Sequence, residues 1–575
     1  MKVKYSIIAC ILISLTFVSC RFAYTDYGNG KPLKITTWDA LGYYMYLPAT
    51  IIYNDASALE WFPEIDSTYD VSGGKLYQAN KNEDGKYVFK YLGGIAVLQL
   101  PFFLASHVIA QSSAYAADGF SAPYQYGMAF GALVYFILTI FLLRHLLLKY
   151  FSDKITALSL ILLFGASNII QYVSIDSAMS HSYILLLYPV LIYATIKWHE
   201  KPTLFWASTI GWIIGMATIC RPTEALMFLI PLLWNTQNKE QSKLKWTTVK
   251  ENLNHLIFVG IFGLISILPQ LIYWQIITGS PVYDVGSKWT FLNPFFRVLL
   301  GWEKGWFIYT PIAIVFIVGL FFIKKFPFKK SIIIFTILNI WVVISWFDWN
   351  YGATYSCRAL SQSTPLFAFP LAALLTYLLS LKSKWKYLVF PIGIYLIGVN
   401  LFQIGQYNST VLHYYDMNRK YYGAIYLDKN PTPLDMSLLD TDVALYEEDG
   451  FNSVSLASRN GKITHTSDSN KIILLDTVIE LSANEAYLCV QSELTIPSGS
   501  NGSHIQTVVL GTQDTVTTTI RLNYPNSNIN SANPYHYYTL LPKNEKKVRL
   551  LTQVLVLGKT EVIEVNSRFR LLTKK

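Results

Sequence analysis

Residues 36–49 read TTWDALGYYMYLPA, with a single carboxylate, Asp39, set among aromatic residues directly after the first apolar stretch of the chain. A charge at the centre of a bilayer costs about 2.5–3.5 kcal/mol on insertion scales, so Asp39 belongs at the edge of an apolar medium, not inside it. Tyr43, Tyr44, Tyr46 and Pro48 suit a helix in such an interface. The whole chain agrees: 575 residues, 52% apolar and 14% charged, with a mean hydropathy of +0.33, describe a polytopic membrane protein. The formal net charge of +10 does not point to nucleic acid, because the Lys and Arg residues fall largely in short loops between apolar runs, where they set orientation. Cys10, Cys20, Cys220, Cys357 and Cys489 are too scattered for a metal-ligand spacing or a disulfide framework.

A helix needs about 20 apolar residues to cross the hydrocarbon core. Stretches of that order lie near 5–24, 124–143, 155–172, 181–198, 203–219, 222–234, 255–278, 306–323, 331–347, 362–381 and 387–405, an expectation of about 11 transmembrane helices. Lys2 and Lys4, the apolar run to Val18 and Ser19-Cys20 outline a lipoprotein-type signal. Phe17 three residues before Cys20 fits that site poorly, and an uncleaved first span is expected. Basic residues after alternate spans (Arg144 to Lys154, Lys197 and Lys201, Lys239 to Lys250, Lys324 to Lys330, Lys382 to Lys386) place those loops and the N-terminus in the cytoplasm. Residues 25–123, 173–180, about 220–224, 279–305, 348–361 and everything after 405 then lie outside, as expected for a bacterial-type inner membrane. On this count the segment 91–110, with Gly93, Gly94 and Pro101, is expected as a broken or kinked helix in the outer interface, the alternative being a true span.

After Gly405 the composition becomes polar and the apolar period alternates. The boundaries expected are a membrane domain over 1–405, a linker over 406–430 and an exported domain over 431–575. Runs such as KIILLDTVIEL, AYLCVQSELTI, HIQTVVLG, TVTTTIRLNY, YHYYTLL, VRLLTQVLVLG and EVIEVNSRFRLL predict a β-sandwich of about 130 residues. Tyr535, Tyr537 and Tyr538 form either sheet packing or a sugar-stacking patch.

Candidate site residues cluster on the outer side. Asp39 is either a helix cap or a general base. YVSIDSAMSHSY supplies Asp176 and His181, and ATICRPTEALMF supplies Arg221, which either pairs with Glu224 or holds phosphate. Lys90, Lys288, Lys304 and Arg358 complete a set of outward cations above apolar walls, as a lipid phosphate requires. Tyr43, Tyr44, His181, Lys288 and Lys304 are expected around a sugar and acceptor cavity. No residue spacing resembles a closed metal site.

An outer Asp after the first span, a segment beginning KYLGG, the pair Arg221-Pro222 and the late GATYSCR make residues 1–405 resemble integral-membrane glycosyltransferases of the GT-C superfamily, nearest the branch of protein O-mannosyltransferases and aminoarabinose transferases. The resemblance implies a polyprenyl-phosphate sugar donor and an external glycan, lipid or protein acceptor. It also implies Asp39 as the catalytic first-loop Asp, Asp176 as a second-loop acidic residue, and Lys90, Arg221 and Arg358 around the donor phosphate. Many relatives carry an acidic residue beside that Asp, where this chain has Ala40. Direct displacement would invert the anomeric centre without a cofactor, although some relatives use a divalent metal. The rival class is a transporter or flippase of a lipid-linked glycan. It would show paired inverted halves with matching interrupted helices, which the sequence lacks.

Overall fold

The computed structural model describes residues 4–24, 33–464, 471–481, 485–495, 502–522, 532–543, 545–556 and 562–575. The chain divides between residues 401 and 402 into a helical unit and a β-rich unit. Among the described residues six helices are long and apolar enough to cross a membrane: Tyr5–Ala23, Gly94–Gln111, Ala122–Leu147, Leu253–Thr278, Arg358–Ser380 and Lys384–Asn408. Of the other apolar stretches, 181–198 forms the 21-residue helix Ser180–Glu200, which is less apolar, and the rest form shorter or interrupted helices, so five of the about 11 expected spans meet both length and apolarity, the sixth long helix being Gly94–Gln111. Pro222 turns the 222–234 stretch into a 3-10 segment followed by a short helix, and the 306–323 stretch breaks at Thr310-Pro311.

Polar contacts mark the two ends of the bundle. At one end Ser6 bonds Asp153 and accepts from Arg144 Nε at 2.7 Å. At the other, Arg21 in the last turn of Tyr5–Ala23 is 3% exposed and donates to the Ile175 carbonyl at 2.8 Å. Close helix contact needs small residues: a Cβ on Gly215 would stand 2.3 Å from the Gly263 carbonyl of the neighbouring helix.

Residues 33–91 fold as a cap from the helices Trp38–Tyr44, Tyr46–Ile51 and Phe62–Tyr69 and a hairpin of β1 (Ala79–Lys81) and β2 (Tyr87–Phe89). Its core includes Leu41, Tyr44, Met45, Phe89, Phe103 and Phe120. The aromatics of 36–49 are therefore largely interior. Tyr44 is fully buried against Phe103 and Phe120 with its hydroxyl bonded to the Gly119 carbonyl, which corrects its expected place in a substrate cavity.

Gly94–Gln111 is a helix, as expected, and of the break or kink expected at its glycines and proline it shows no break; Pro101 faces outward, and its missing N–H forfeits one bond without ending the helix. The residues flanking this helix return to one short segment. Tyr46 donates to the Tyr91 carbonyl at 2.7 Å on one side, and Tyr44 donates to the Gly119 carbonyl on the other.

The β-rich unit has two antiparallel sheets, formed by β3 (Phe451–Thr464), β4 (Lys471–Glu480), β5 (Ala486–Thr495), β6 (His504–Leu510), β7 (Thr515–Arg521), β8 (Ala532–Leu540), β9 (Lys547–Leu555) and β10 (Val562–Lys574). Their orders are β3-β10-β5-β8 and β4-β9-β6-β7. Val490, Ile505, Leu550, Val554 and Phe569 are buried, and Thr507 Oγ1 meets the Tyr537 hydroxyl at 2.8 Å across the sheets, as in a sandwich. Tyr535, Tyr537 and Tyr538 are at most 2% exposed, so they pack and do not offer a stacking surface. The expected linker, 406–430, holds the end of the helix Val389–Asn408 and the helix Arg419–Ile425, joined by Gln406 donating to the Ile425 carbonyl at 2.7 Å.

Single cysteines at Lys75 and Ser113, both exposed, should react with an impermeant maleimide from the same side of the membrane. Labelling from opposite sides would mean that Gly94–Gln111 crosses.

Candidate active site

Asp39 sits in the first turn of Trp38–Tyr44, where the helix start favours negative charge. It does not cap that helix, because both of its oxygens are engaged elsewhere. Oδ1 accepts from the Tyr77 hydroxyl at 2.8 Å and the Tyr91 hydroxyl at 2.7 Å, and Oδ2 accepts from Arg358 Nη2 at 2.5 Å. Gly42, three residues on and on the same helical face, makes room for this: a Cβ there would stand 2.1 Å from the Tyr91 ring. Trp38, just before Asp39, has a left-handed backbone at φ 51°, rare for a bulky residue, and Gln78 holds its carbonyl at 2.9 Å. Burial would raise the Asp39 carboxyl, but the Arg358 charge and then the hydrogen bonds from Tyr91, Tyr77 and Arg358 bring it down to about 2. Burial and the Asp39 charge push Tyr91 and Tyr77 upward, so both stay protonated donors.

Arg358 is presented by a tightly held loop. Tyr351 and Ser356 both have positive φ, and Tyr351 donates to the Val343 carbonyl at 2.6 Å. Tyr172 donates to the Tyr355 carbonyl at 2.6 Å, and Lys304 donates to the carbonyls of Asn350 and Gly352, the latter beside Arg358 Nη2. Lys304 is thus a buried clamp on this loop, not the cavity residue expected. Lys288 is exposed and joins the Trp346 region through its own carbonyl, which accepts from Phe347 N–H. Tyr43 is buried with its ring 4.7 Å from Tyr91, at the back of the Asp39 group. Lys90 comes close by another route: its ammonium lies 5.9 Å from the ring centre of Tyr77, and burial and Lys75 lower its pKa.

Asp176 follows a π-helical turn, Gln171–Ile175, a geometry frequent at functional sites. The Gln171 amide donates to its carboxylate at 3.0 Å, and Arg21 holds the Ile175 carbonyl next to it. Asp176 keeps accessible surface although it is closely surrounded by protein. Burial raises its carboxyl, opposed by the Gln171 bond and by the charges of Arg358 and Arg21.

His181 is 1% exposed, within the electrostatic reach of Arg221, Arg358 and Asp39. Its Nδ1 is 2.7 Å from Gln362 Oε1; Gln362 Nε2 donates to Glu224 Oε1 at 2.8 Å, and Tyr188 donates to Glu224 Oε2 at 2.5 Å. Glu224 therefore makes no ion pair with Arg221 among the described residues, which corrects the expected i,i+3 partnership. Arg221, at the end of Leu204–Cys220, has no hydrogen-bond or ion-pair partner for its guanidinium among the described residues, although it is partly buried.

Asp39, Lys90, Asp176, His181, Arg221 and Arg358 thus share one region, and Tyr44 and Lys288 are not bonded into it. Tyr77, Tyr91, Gln362, Glu224 and Arg21 were missed as site partners by sequence reasoning. For Glu224, Gln362 and Arg21 there was a signal, a polar group inside or ending an apolar stretch; for the two tyrosines there was none.

In the β-rich unit Glu448, Cys489 and His536 bring possible ligand atoms within 4.8 Å of one another. Arg570 donates to both Glu448 oxygens, at 2.7 and 2.9 Å, and lies 3.4 Å from Cys489 Sγ, so a guanidinium already neutralises the group.

No protein-family model and no curated protein matches the chain. Among solved structures it is similar to the arabinosyltransferase EmbB from Mycobacterium smegmatis, at 11% identity and a TM-score of 0.35, over 97% of this chain and 64% of that one. The chain spans under two thirds of that protein's length, and a superposition this loose fixes neither fold family nor chemistry.

Asp39→Asn should lower the thermal unfolding midpoint of the nanodisc-embedded protein, because an unpartnered buried charge costs about 3–5 kcal/mol. The lowered carboxyl pKa means the pair contributes fully above the ordinary carboxylate range and is lost as pH falls through about 2. The unsubstituted protein should therefore hold its midpoint from pH 7 to about 4, and an unchanged midpoint in Asp39→Asn would mean the pair adds nothing.

Proposed function

We propose that the helical unit is a membrane glycosyltransferase that moves a sugar from a polyprenyl phosphate to an acceptor hydroxyl at the outer face of a cytoplasmic membrane. The observation that carries this reading is the convergence of carboxylates with cations from distant parts of the chain: Asp39 and Asp176 with Lys90, Arg221 and Arg358. Arg221 without a partner calls for an anion, since buried charge is normally paired. The six long apolar helices suit a lipid-borne substrate.

In the transfer, the acceptor oxygen attacks the anomeric carbon as the bond from that carbon to the phosphate oxygen breaks, and the centre inverts. The hydroxyl proton goes to Asp39, and the phosphate leaves as the polyprenyl monoester with its new charge held by Arg221, Lys90 and Arg358. Arg358 has two anions to serve. Without donor it is bonded to Asp39 and keeps that carboxylate a weak base. Donor phosphate competes for the guanidinium, and as Arg358 turns toward it Asp39 regains basicity. Asp176, exposed and within the electrostatic reach of Arg358, would hold a substrate hydroxyl.

Undecaprenyl phosphate titrated into nanodisc-embedded protein and followed by native mass spectrometry should bind about ten- to a hundredfold more weakly to Arg221→Ala, the loss expected for a charged hydrogen bond. Equal affinity removes Arg221 from the phosphate site. With hexose- and pentose-phosphoryl undecaprenol as donors, Asp39→Asn should reduce transfer by about 10² to 10⁴, and full activity would rule it out as the base. In Arg358→Gln the acid limb of the rate profile should move to higher pH, because the charge that holds Asp39 near 2 is gone.

A further inference from the structure

His181 is tied to the site by a chain of hydrogen bonds whose direction is readable. Both Glu224 oxygens act as acceptors, one from the Tyr188 hydroxyl and one from the Gln362 amide N–H. That fixes the Gln362 amide, and its oxygen, Oε1, faces the imidazole at 2.7 Å. An amide oxygen can only accept, so Nδ1 of His181 must carry the proton and donate. A neutral imidazole with its proton on Nδ1 has a bare lone pair on Nε2. Among the described residues Nε2 makes no hydrogen bond, and unlike His199 Nε2 it is not sealed from water. Buried at 1% exposure beside Arg221 and Arg358, the ring is neutral and Nε2 is an acceptor.

We infer that His181 Nε2 accepts a hydrogen bond from a hydroxyl of the transferred sugar, with Gln362 and Glu224 as positioning residues that set its tautomer. The geometry explains three polar side chains, each at 1% exposure in an apolar surround, as one device. A site built around a single acceptor discriminates against a substrate without the matching donor, because the buried lone pair is then left unpaired. The sugar identity rests on the transfer reading above; the tautomer does not.

The test has two arms on the full chain in nanodiscs. In nitrogen-15 spectra of histidine-labelled protein, the signals lost in His181→Gln should show a protonated Nδ1 and an unprotonated Nε2, and Glu224→Gln should give mixed tautomers because its amide can face either way. A proton on Nε2 in the unsubstituted protein overturns the inference. In the binding arm, His181→Leu should weaken hexose- or pentose-phosphoryl undecaprenol about tenfold while leaving undecaprenyl phosphate unchanged, with His181→Gln recovering most of the loss through its amide oxygen. No loss, or an equal loss for both lipids, overturns it. If undecaprenyl phosphate does not bind the unsubstituted protein at all, the phosphate reading fails instead, and the nitrogen-15 arm still decides the tautomer.

Discussion

The ion pair between Asp39 and Arg358 joins residues 319 positions apart and closes the cap of residues 33–91 onto the loop 350–358. Both partners are mostly buried, with side-chain exposures of 22% and 13%. Pairs in such surroundings persist only when their remaining hydrogen-bonding capacity is met. Tyr77 and Tyr91 meet it on the carboxylate side, and the bonds through Tyr172, Tyr351 and Lys304 hold the loop that delivers Arg358. Remove the pair and both elements lose their anchor, together with the charge balance of the site.

A second constraint lies deeper in the bundle. In an apolar medium a polar side chain has no water to turn to, so Tyr188 and Gln362 satisfy Glu224, and Gln362 in turn engages Nδ1 of His181. That closed network leaves Arg221 out. Sequence spacing suggested that Glu224 neutralises Arg221 three residues away, but Arg221 sits at a helix end with extended backbone, φ −153° and ψ 126°, and the helical i,i+3 relation does not hold across it. The result is one satisfied buried carboxylate and, among the described residues, one cation without a partner in the same region.

Legibility in the sequence followed the strength of the local signal. Long apolar stretches became helices, and seven alternating runs became strands β4 to β10. The eighth strand, β3, was missed because FNSVSLASRNGKIT is mostly exposed along its length, as an edge strand can be, and so carries no alternation. Pro101 was over-read as a breaker. Tyr44 was read as surface because aromatics beside an apolar span so often are, whereas the cap has a core of its own. Asp39, Asp176, Lys90 and Arg358 were legible as charges beside apolar runs, but Tyr77, Tyr91 and Gln362 were not, since nothing local marks a residue whose partner lies tens to hundreds of positions away.

Composition and the spacing of apolar runs by themselves determined a helical membrane-type unit followed by a β-rich one, because burial of apolar surface and satisfaction of backbone groups act over short windows of chain. Only the tertiary structure decided which charges meet. Asp39 is clamped by Arg358 and two tyrosines, His181 is oriented through Gln362 by Glu224, and Arg221 is left without a partner among the described residues, because pairing in a low-dielectric interior depends on distances that the order of residues does not contain.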